Sequence, residues 1–268
     1  MNILCIGDIV GKPGRQAIEG VLGNIRKEYD IDFVIANGEN SAGGSGLTSR
    51  MSRFLWKMGC DVITLGDHVW DQKELEGFLD KTDRVIRPAN FPEGAPGKGW
   101  GIYQCSGGLK VGVINLLGRV FMRYHVNCPF RELQKIVDQI RKETSVIVVD
   151  FHAETTSEKV ALGYFANGKV SAVFGTHTHI PTADERILSE GTAYITDVGM
   201  TGPYDSVIGQ NKENIIARFL TSMPKKFSVA VGEISVNGII VKIDEKTGKA
   251  LTISRLRKEW VENKKQKD

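Results

Sequence analysis

Five short apolar runs punctuate the chain, and each ends on residues of metal-ligating type. Ile3–Ile6 runs into Gly7-Asp8, Phe33–Ala36 into Asn37-Gly38-Glu39-Asn40, and Val62–Leu65 into Gly66-Asp67-His68. Val146–Val149 runs into Asp150-Phe151-His152, and Ala172–Phe174 into Gly175-Thr176-His177-Thr178-His179. Short runs rich in Val and Ile read as strands covered on both faces. Between them apolar residues recur at helical spacing. Ile18, Val21, Leu22 and Ile25 predict a helix over Gln16–Tyr29, and Leu133, Ile136, Val137 and Ile140 one over Arg131–Lys142. Thr48–Met58, capped by Thr48, and Gln72–Leu79 predict two more. Strands alternating with helices imply parallel pairing with crossover connections.

The Pro/Gly-rich stretch from Arg87 to Trp100 predicts a long loop. Beyond Gly101 the runs Ile102–Cys105, Lys110–Leu116, Tyr194–Asp197, Phe227–Ser235 and Gly238–Ile243 are joined by turns. They predict a second sheet with more antiparallel pairing. The expected architecture is an α/β fold, a four-layer α/β/β/α sandwich of two mixed sheets flanked by helices, forming one domain over residues 1–268.

Composition narrows the function classes. A net charge of +3 is too small to argue for a nucleic-acid or membrane partner. Its excess lies in Arg255-Leu256-Arg257-Lys258 and Lys264-Lys265-Gln266-Lys267, so a partly flexible basic tail is expected over 255–268. No apolar stretch approaches the ~20 residues of a membrane span. Met1-Asn2 leads straight into a strand with no signal peptide, so a cytoplasmic location is expected. Cys5, Cys60, Cys105 and Cys128 show no CxxC spacing, and Cys5 reads as a small core residue. The Ser41–Gly46 loop lacks the Gly-Lys-Ser/Thr of a nucleotide-binding loop, and Gly7–Gly14 lacks Gly-x-Gly-x-x-Gly. No basic–aromatic stripe points to stable nucleic-acid binding. Loops that could pack against a second copy leave a homo-oligomer open.

In open α/β sheets ligands sit outside the carboxyl ends of the strands. The five strand ends therefore deliver three carboxylates, an amide and three or four imidazoles to one edge. That exceeds the needs of one ion and predicts a two-metal site. Oxygen ligands mixed with imidazole suit Mn²⁺, Fe²⁺ or Zn²⁺. His177-Thr178-His179 is the strongest local signal, because residues two apart in a strand share a face and can reach different ions. His152 ends the preceding run and joins them. His125, in Arg-Tyr-His-Val-Asn, reads as a loop histidine. Taken alone, Asp8 could equally cap a helix or serve a turn, and the glycine-rich loop could be merely flexible rather than a phosphate cradle.

These segments resemble the calcineurin-like metallophosphoesterases, and more closely the YmdB-like family of bacterial phosphodiesterases. The resemblance rests on Gly7-Asp8-Ile9-Val10-Gly11, Asn37-Gly38-Glu39-Asn40, Gly66-Asp67-His68-Val69-Trp70-Asp71 and Arg87-Pro88-Ala89-Asn90-Phe91-Pro92. It continues in Asp150-Phe151-His152-Ala153-Glu154, Gly175-Thr176-His177-Thr178-His179 and Thr196-Asp197-Val198-Gly199-Met200-Thr201-Gly202, and so covers nearly the whole chain. It implies one metal held by Asp8, Glu39, Asn40 and His179, and a second held by Glu39 as bridge, Asp67, His152 and His177. It implies iron or manganese, and activity on 2′,3′-cyclic nucleotides or related small-molecule phosphodiesters; the ligand types alone leave zinc or magnesium open as well.

A phosphodiester repels hydroxide, so two metals would have to generate the nucleophile and neutralise the phosphoryl oxygens. The leaving alkoxide needs a proton, and His68, beside residue 67, is the candidate general acid, a role the resemblance also implies. Asp71 and Glu154 are candidates to hold imidazoles in the right tautomer. Trp70, Phe91 and Tyr204 could stack a base, and Arg87 and Arg119 could clamp phosphate. One departure stands out: the broad superfamily has Gly-Asn-His where this chain has Gly66-Asp67-His68. An ionised Asp67 makes a two-cation core with a bridging hydroxide formally neutral. Tighter metal binding and weaker attraction for an anionic substrate are then expected. Two other readings compete: a regulatory or scaffold protein with a structural metal site, and a phosphomonoesterase or protein phosphatase.

Overall fold

The computed structural model describes residues 1–105 and 108–261. The chain opens with β1 (Asn2–Ile6), β2 (Asp8–Ile9), α1 (Gly11–Glu28), β3 (Phe33–Asn37), α2 (Ser49–Met58), β4 (Val62–Thr64), α3 (Glu74–Leu79) and β5 (Val85–Ile86). It continues with β6 (Trp100–Gln104), β7 (Lys110–Leu117), α4 (Pro129–Ile140), β8 (Ile147–His152), α5 (Thr156–Ala166), β9 (Ala172–Thr176), β10 (Arg186–Ile187) and β11 (Ala193–Ile195). It closes with β12 (Met200–Pro203), α6 (Lys212–Thr221), β13 (Ile234–Ile243) and β14 (Ala250–Trp260). Among the described residues no helix is long and apolar enough to cross a membrane.

Two sheets result. One runs β2-β12-β13-β1-β3-β4-β5, with β14 also on β13; the other runs β10-β11-β9-β8-β7-β6. The apolar runs are the parallel strands β1, β3 and β4 of the first sheet and β8 and β9 of the second. Their alternate residues explain why every position is apolar. Ile3, Cys5, Ile35 and Val62 meet Val113, Val148, Phe174 and Ile195 between the sheets. Leu4, Ile6, Val34 and Ile63 face the outer layer of α1, α2 and α3, where Ile18, Leu22 and Leu55 pack. Val149 and Val173 face α4 and α5 through Leu133, Ile136 and Leu162. The four-layer α/β/β/α sandwich is what the alternation predicts.

Local signals place the helix ends. Thr48 accepts a hydrogen bond from Met51 N at 3.2 Å, and Gly59 closes α2 with a left-handed φ of 110°. The first helix begins at Gly11 rather than Gln16. Pro13 does not break it, because a first-turn residue has no intrahelical partner for its missing N–H.

Three expectations are corrected. The second sheet is parallel at its centre, from β7 through β8 and β9 to β11, and antiparallel at both edges. The long antiparallel pair β13–β14 belongs to the first sheet instead. Phe227–Ser235 is no strand before Ile234: its backbone bonds to the 209–211 loop, and Gly232 turns it at φ 88°. The tail is structured through Trp260, because Leu256 is buried while Arg255 and Lys258 pair with Glu185 and Glu28 on the outer strand β14. Its remaining positions, 262–268, lie outside the described residues.

Candidate metal centre

The expected ligands gather where the carboxyl rims of the two sheets meet. The first sheet brings Asp8, Glu39, Asn40 and Asp67, and the second brings His152, His177 and His179. His152 Nε2 lies 3.0 Å from Glu39 Oε1 and 3.3 Å from Asp67 Oδ1. His177 Nδ1 lies 3.0 Å from His152 Nε2 and 3.4 Å from Asp67 Oδ1. One ligand atom from each of Glu39, Asp67, His152 and His177 falls within 4.8 Å of the others, a spacing that could hold a metal ion. Beside them His179 Nε2 is 3.3 Å from Asn40 Oδ1 and 4.0 Å from Asp8 Oδ1. Asp8 Oδ1 is buried and has no hydrogen-bond partner. A buried carboxylate oxygen without a donor costs on the order of 1–3 kcal/mol or more, a cost that a cation removes. The donor set therefore fits divalent metal.

Charge reinforces that fit. Burial opposes a charge on His152, yet the Glu39 carboxylate and hydrogen bonds to Asp67 and Glu39 push its pKa well above the ordinary imidazole value. Burial would raise Asp67, but hydrogen bonds from His152 and His177 hold it far below the usual carboxylate range. The cluster attracts positive charge.

Close backbone approach is part of the construction. A Cβ on Gly66 would lie 2.1 Å from Glu39 Oε2 and 2.3 Å from His152 Nε2, so only glycine lets the β4 loop pass beneath these ligands. The histidine pair departs from the strand geometry that the sequence suggests. Strand β9 ends at Thr176, and His177 and His179 lie beyond it with φ of 97° and 65°. Such backbone is strained in non-glycine residues and has to be held. His177 N donates to Asp8 Oδ2 at 3.2 Å. Thr178 donates through N and Oγ1 to Asp197 Oδ2 at 3.2 and 2.7 Å. His179 Nδ1 lies 2.9 Å from Ile208 O.

A buried polar layer supports the candidate ligands, built in part from residues on which the apolar runs end. Asp150 accepts from Asn37 Nδ2 at 3.1 Å, Thr64 Oγ1 at 2.5 Å and Thr176 Oγ1 at 2.7 Å, joining the two sheets. Thr176 Oγ1 also lies 2.9 Å from His152 Nδ1, which orients the ring with Nε2 toward the cluster. Burial raises the Asp150 pKa to about 6. Below the histidine loop, Lys159 Nζ donates to Asp197 Oδ2 at 2.6 Å and Thr176 O at 2.8 Å. The only hint of these roles in the sequence is a polar residue interrupting an apolar segment.

His68 lines the cleft beside the ligands. Its Nδ1 is 2.7 Å from Asp71 Oδ2 and 3.2 Å from Ser45 Oγ, and Arg123 Nη1 holds Asp71 Oδ1 at 2.8 Å. Burial would lower its pKa, but the Glu39 and Asp67 charges, with Asp71, raise it. Glu154 Oε2 lies 3.0 Å from His177 Nε2.

The model for the YmdB-like protein family matches residues 4–256. The chain belongs to the YmdB-like family. A 2′,3′-cyclic-nucleotide 2′-phosphodiesterase of Bacillus subtilis (strain 168) is 48% identical over 256 residues, covering 96% of each chain. A crystal structure of a hypothetical protein from Thermus thermophilus superposes with TM-score 0.90 at 42% identity, covering 97% of this chain and 99% of that one. A crystal structure described as a novel phosphatase, from Mycoplasma pneumoniae, gives TM-score 0.90 at 35% identity, covering 97% and 93%. The architecture is the calcineurin-like one these YmdB-like relatives share.

The expected substrate contacts lie elsewhere. Trp70 and Phe91 stack edge-on at 5.6 Å, and Phe91 meets Tyr124 at 5.3 Å, an aromatic cluster packed on the core. Tyr204 donates to Met200 O and accepts from Asn237 Nδ2. Arg87 donates to Pro88 O, Ala95 O and Pro96 O, pinning the Pro/Gly-rich loop beside a different surface groove. Arg119 is exposed away from the cleft, where its backbone N–H meets Glu158. None of the five lines the ≈ 450 Å³ cleft over the candidate ligands; Ile208, Gln210 and Phe227 do.

Proposed function

We propose that the chain is a metal-dependent phosphodiesterase that opens 2′,3′-cyclic nucleotides, or related small phosphodiesters, with His68 as general acid. Asp8, Glu39, Asn40 and His179 would hold one cation, and Glu39, Asp67, His152 and His177 would hold a second, iron or manganese being the favoured ions. Bound there, a pair of divalent cations supplies a nucleophile at neutral pH and neutralises phosphoryl charge. The carrying observation is His68 beside that ligand cluster with Nδ1 engaged by Asp71, 2.7 Å away. That contact fixes the tautomer and leaves Nε2 for the departing ribose oxygen. In the ring opening water adds to phosphorus, the bond to the 2′-oxygen breaks, and the proton on His68 goes to that oxygen; one proton of the water stays on the new phosphomonoester and the other passes to solvent, from which His68 is reprotonated. The Asp71 carboxylate beside Nδ1 favours a protonated His68. The Bacillus subtilis relative, named for this reaction, supports the substrate class.

The test is metal content and 2′,3′-cyclic AMP hydrolysis measured on one anaerobically purified sample. About two metals per chain with turnover is expected. His68→Ala is expected to keep both metals and lose ~10²–10⁴-fold in turnover; full activity would reject the general-acid role. The Mycoplasma pneumoniae relative, described as a phosphatase, favours a phosphomonoester as second reading. Faster turnover of p-nitrophenyl phosphate than of its bis ester would select it.

A further inference from the structure

The cleft has one aromatic wall. Phe227 lines the same cleft as His177 and His179, and the residue is 55% exposed, a large apolar side chain left in contact with water. The ring is nonetheless held in place. Arg218 Cζ sits 5.0 Å above it, and Asn214 Nδ2 donates to Lys226 O at 3.3 Å. Asn211 N donates to Ser228 O and Ala230 N to Gly209 O, both at 2.9 Å, so residues 226–230 are clipped to the 209–211 loop. That loop follows Ile208, whose carbonyl meets the ring of His179. Phe227 is thus fixed relative to a metal ligand through a few backbone bonds.

We infer that Phe227 is the platform on which the nucleobase of the substrate stacks, the role that Trp70, Phe91 and Tyr204 cannot fill from their packed positions. The inference rests on the phosphodiesterase reading and names its specificity-determining residue. A ring half in water gains by covering itself with a flat apolar partner. A phosphate placed among the ligands carries its ribose and base outward into the same cleft. Stacking tolerates any base, so Phe227 selects nucleosides over simple phosphodiesters without choosing among the four bases.

Titration calorimetry on the metal-loaded protein tests this with adenosine 3′-monophosphate and base-free ribose 3-phosphate as probes. Phe227→Ala is expected to weaken the nucleotide roughly tenfold or more and to leave ribose phosphate within about twofold, while Phe227→Tyr retains nucleotide affinity. The inference is overturned if Phe227→Ala leaves the nucleotide unchanged, if it weakens both probes equally, or if the wild type binds the nucleotide no tighter than ribose phosphate. Turnover of 2′,3′-cyclic AMP by the wild type is read separately. Its absence rejects the phosphodiesterase reading, while the titration still decides whether Phe227 holds a base.

Discussion

Removing the ammonium of Lys159 isolates the forces that hold the histidine loop. Lys159 and Asp197 are each about 1% exposed, and their 2.6 Å contact is closed from water. Asp197 also accepts from Thr178 N, Thr178 Oγ1 and Gly199 N. Lys159→Met removes the cation, keeps most of the volume and leaves the carboxylate with neutral donors only. Breaking a buried pair by deleting one partner costs ~3–5 kcal/mol. At about 2 °C per kcal/mol for a chain of this size, the melting temperature should fall by ~6–10 °C. Asp197→Asn on the same background removes the stranded charge, so the double variant should be less unstable than the sum of the singles by ~2 kcal/mol. Differential scanning calorimetry of the four proteins gives both numbers. Because Thr178 sits between His177 and His179, Lys159→Met should also weaken metal retention ~10–100-fold. A drop below about 2 °C, or additive single substitutions, would refute the view that this pair anchors the loop.

Gly66→Ala places a methyl 2.1 Å from Glu39 Oε2, so metal content should fall at least tenfold with the circular dichroism of the fold retained. Retained metal would show that the loop can move aside. Asp67→Asn keeps the shape of the ligand and removes a charge; it should raise kcat or lower KM at saturating metal, and unchanged kinetics would sink the charge argument. Burial opposes it, but hydrogen bonds from Thr182 and Thr196 lower the Asp184 pKa. A carboxyl depressed on folding contributes stability above its unfolded value, ~3.9, that is lost as pH falls through the folded one. Asp184→Asn should therefore flatten the loss of melting temperature below about pH 4, and an unaltered acid limb in thermal melts would contradict the assignment.

How much of this was readable in advance follows the physics of each signal. Strand ends were legible because burial between two layers makes the runs Ile3–Ile6, Phe33–Ala36, Val62–Leu65, Val146–Val149 and Ala172–Phe174 apolar on both faces, so Asp8, Glu39, Asp67 and His152 appear as abrupt polar steps. The helix α5 was not legible. Glu158 and Lys159 stand adjacent in it and look solvated, yet both are buried, Glu158 accepting the backbone N–H groups of Arg119 and Val120. A sequence pattern cannot distinguish a charge in water from one satisfied by a distant partner. The basic tail misled for the opposite reason: Arg255 and Arg257 are solvated, but they flank a buried Leu256 on an outer strand, where outward charge discourages further pairing.

The histidine pair marks the limit most clearly. Two histidines spaced two apart suggested one strand face, and the residues do converge, but by a route that the pattern does not contain. A strand would have set both rings on the second sheet's face. The left-handed φ values instead turn His177 toward Asp67 and His179 toward Asn40, across the seam between the sheets. Strain of that kind persists only where the surroundings over-determine it, and here they are Asp8, Asp197 and Ile208, each far from residues 177–179 in sequence. The candidate ligands therefore stand out in the local pattern, whereas their geometry resides in long-range partners such as Lys159. The same division explains the base-stacking wall. Phe227 looked like the start of a strand, and only its clip to the 209–211 loop, which follows Ile208 beside His179, turns an exposed phenylalanine into part of the cleft.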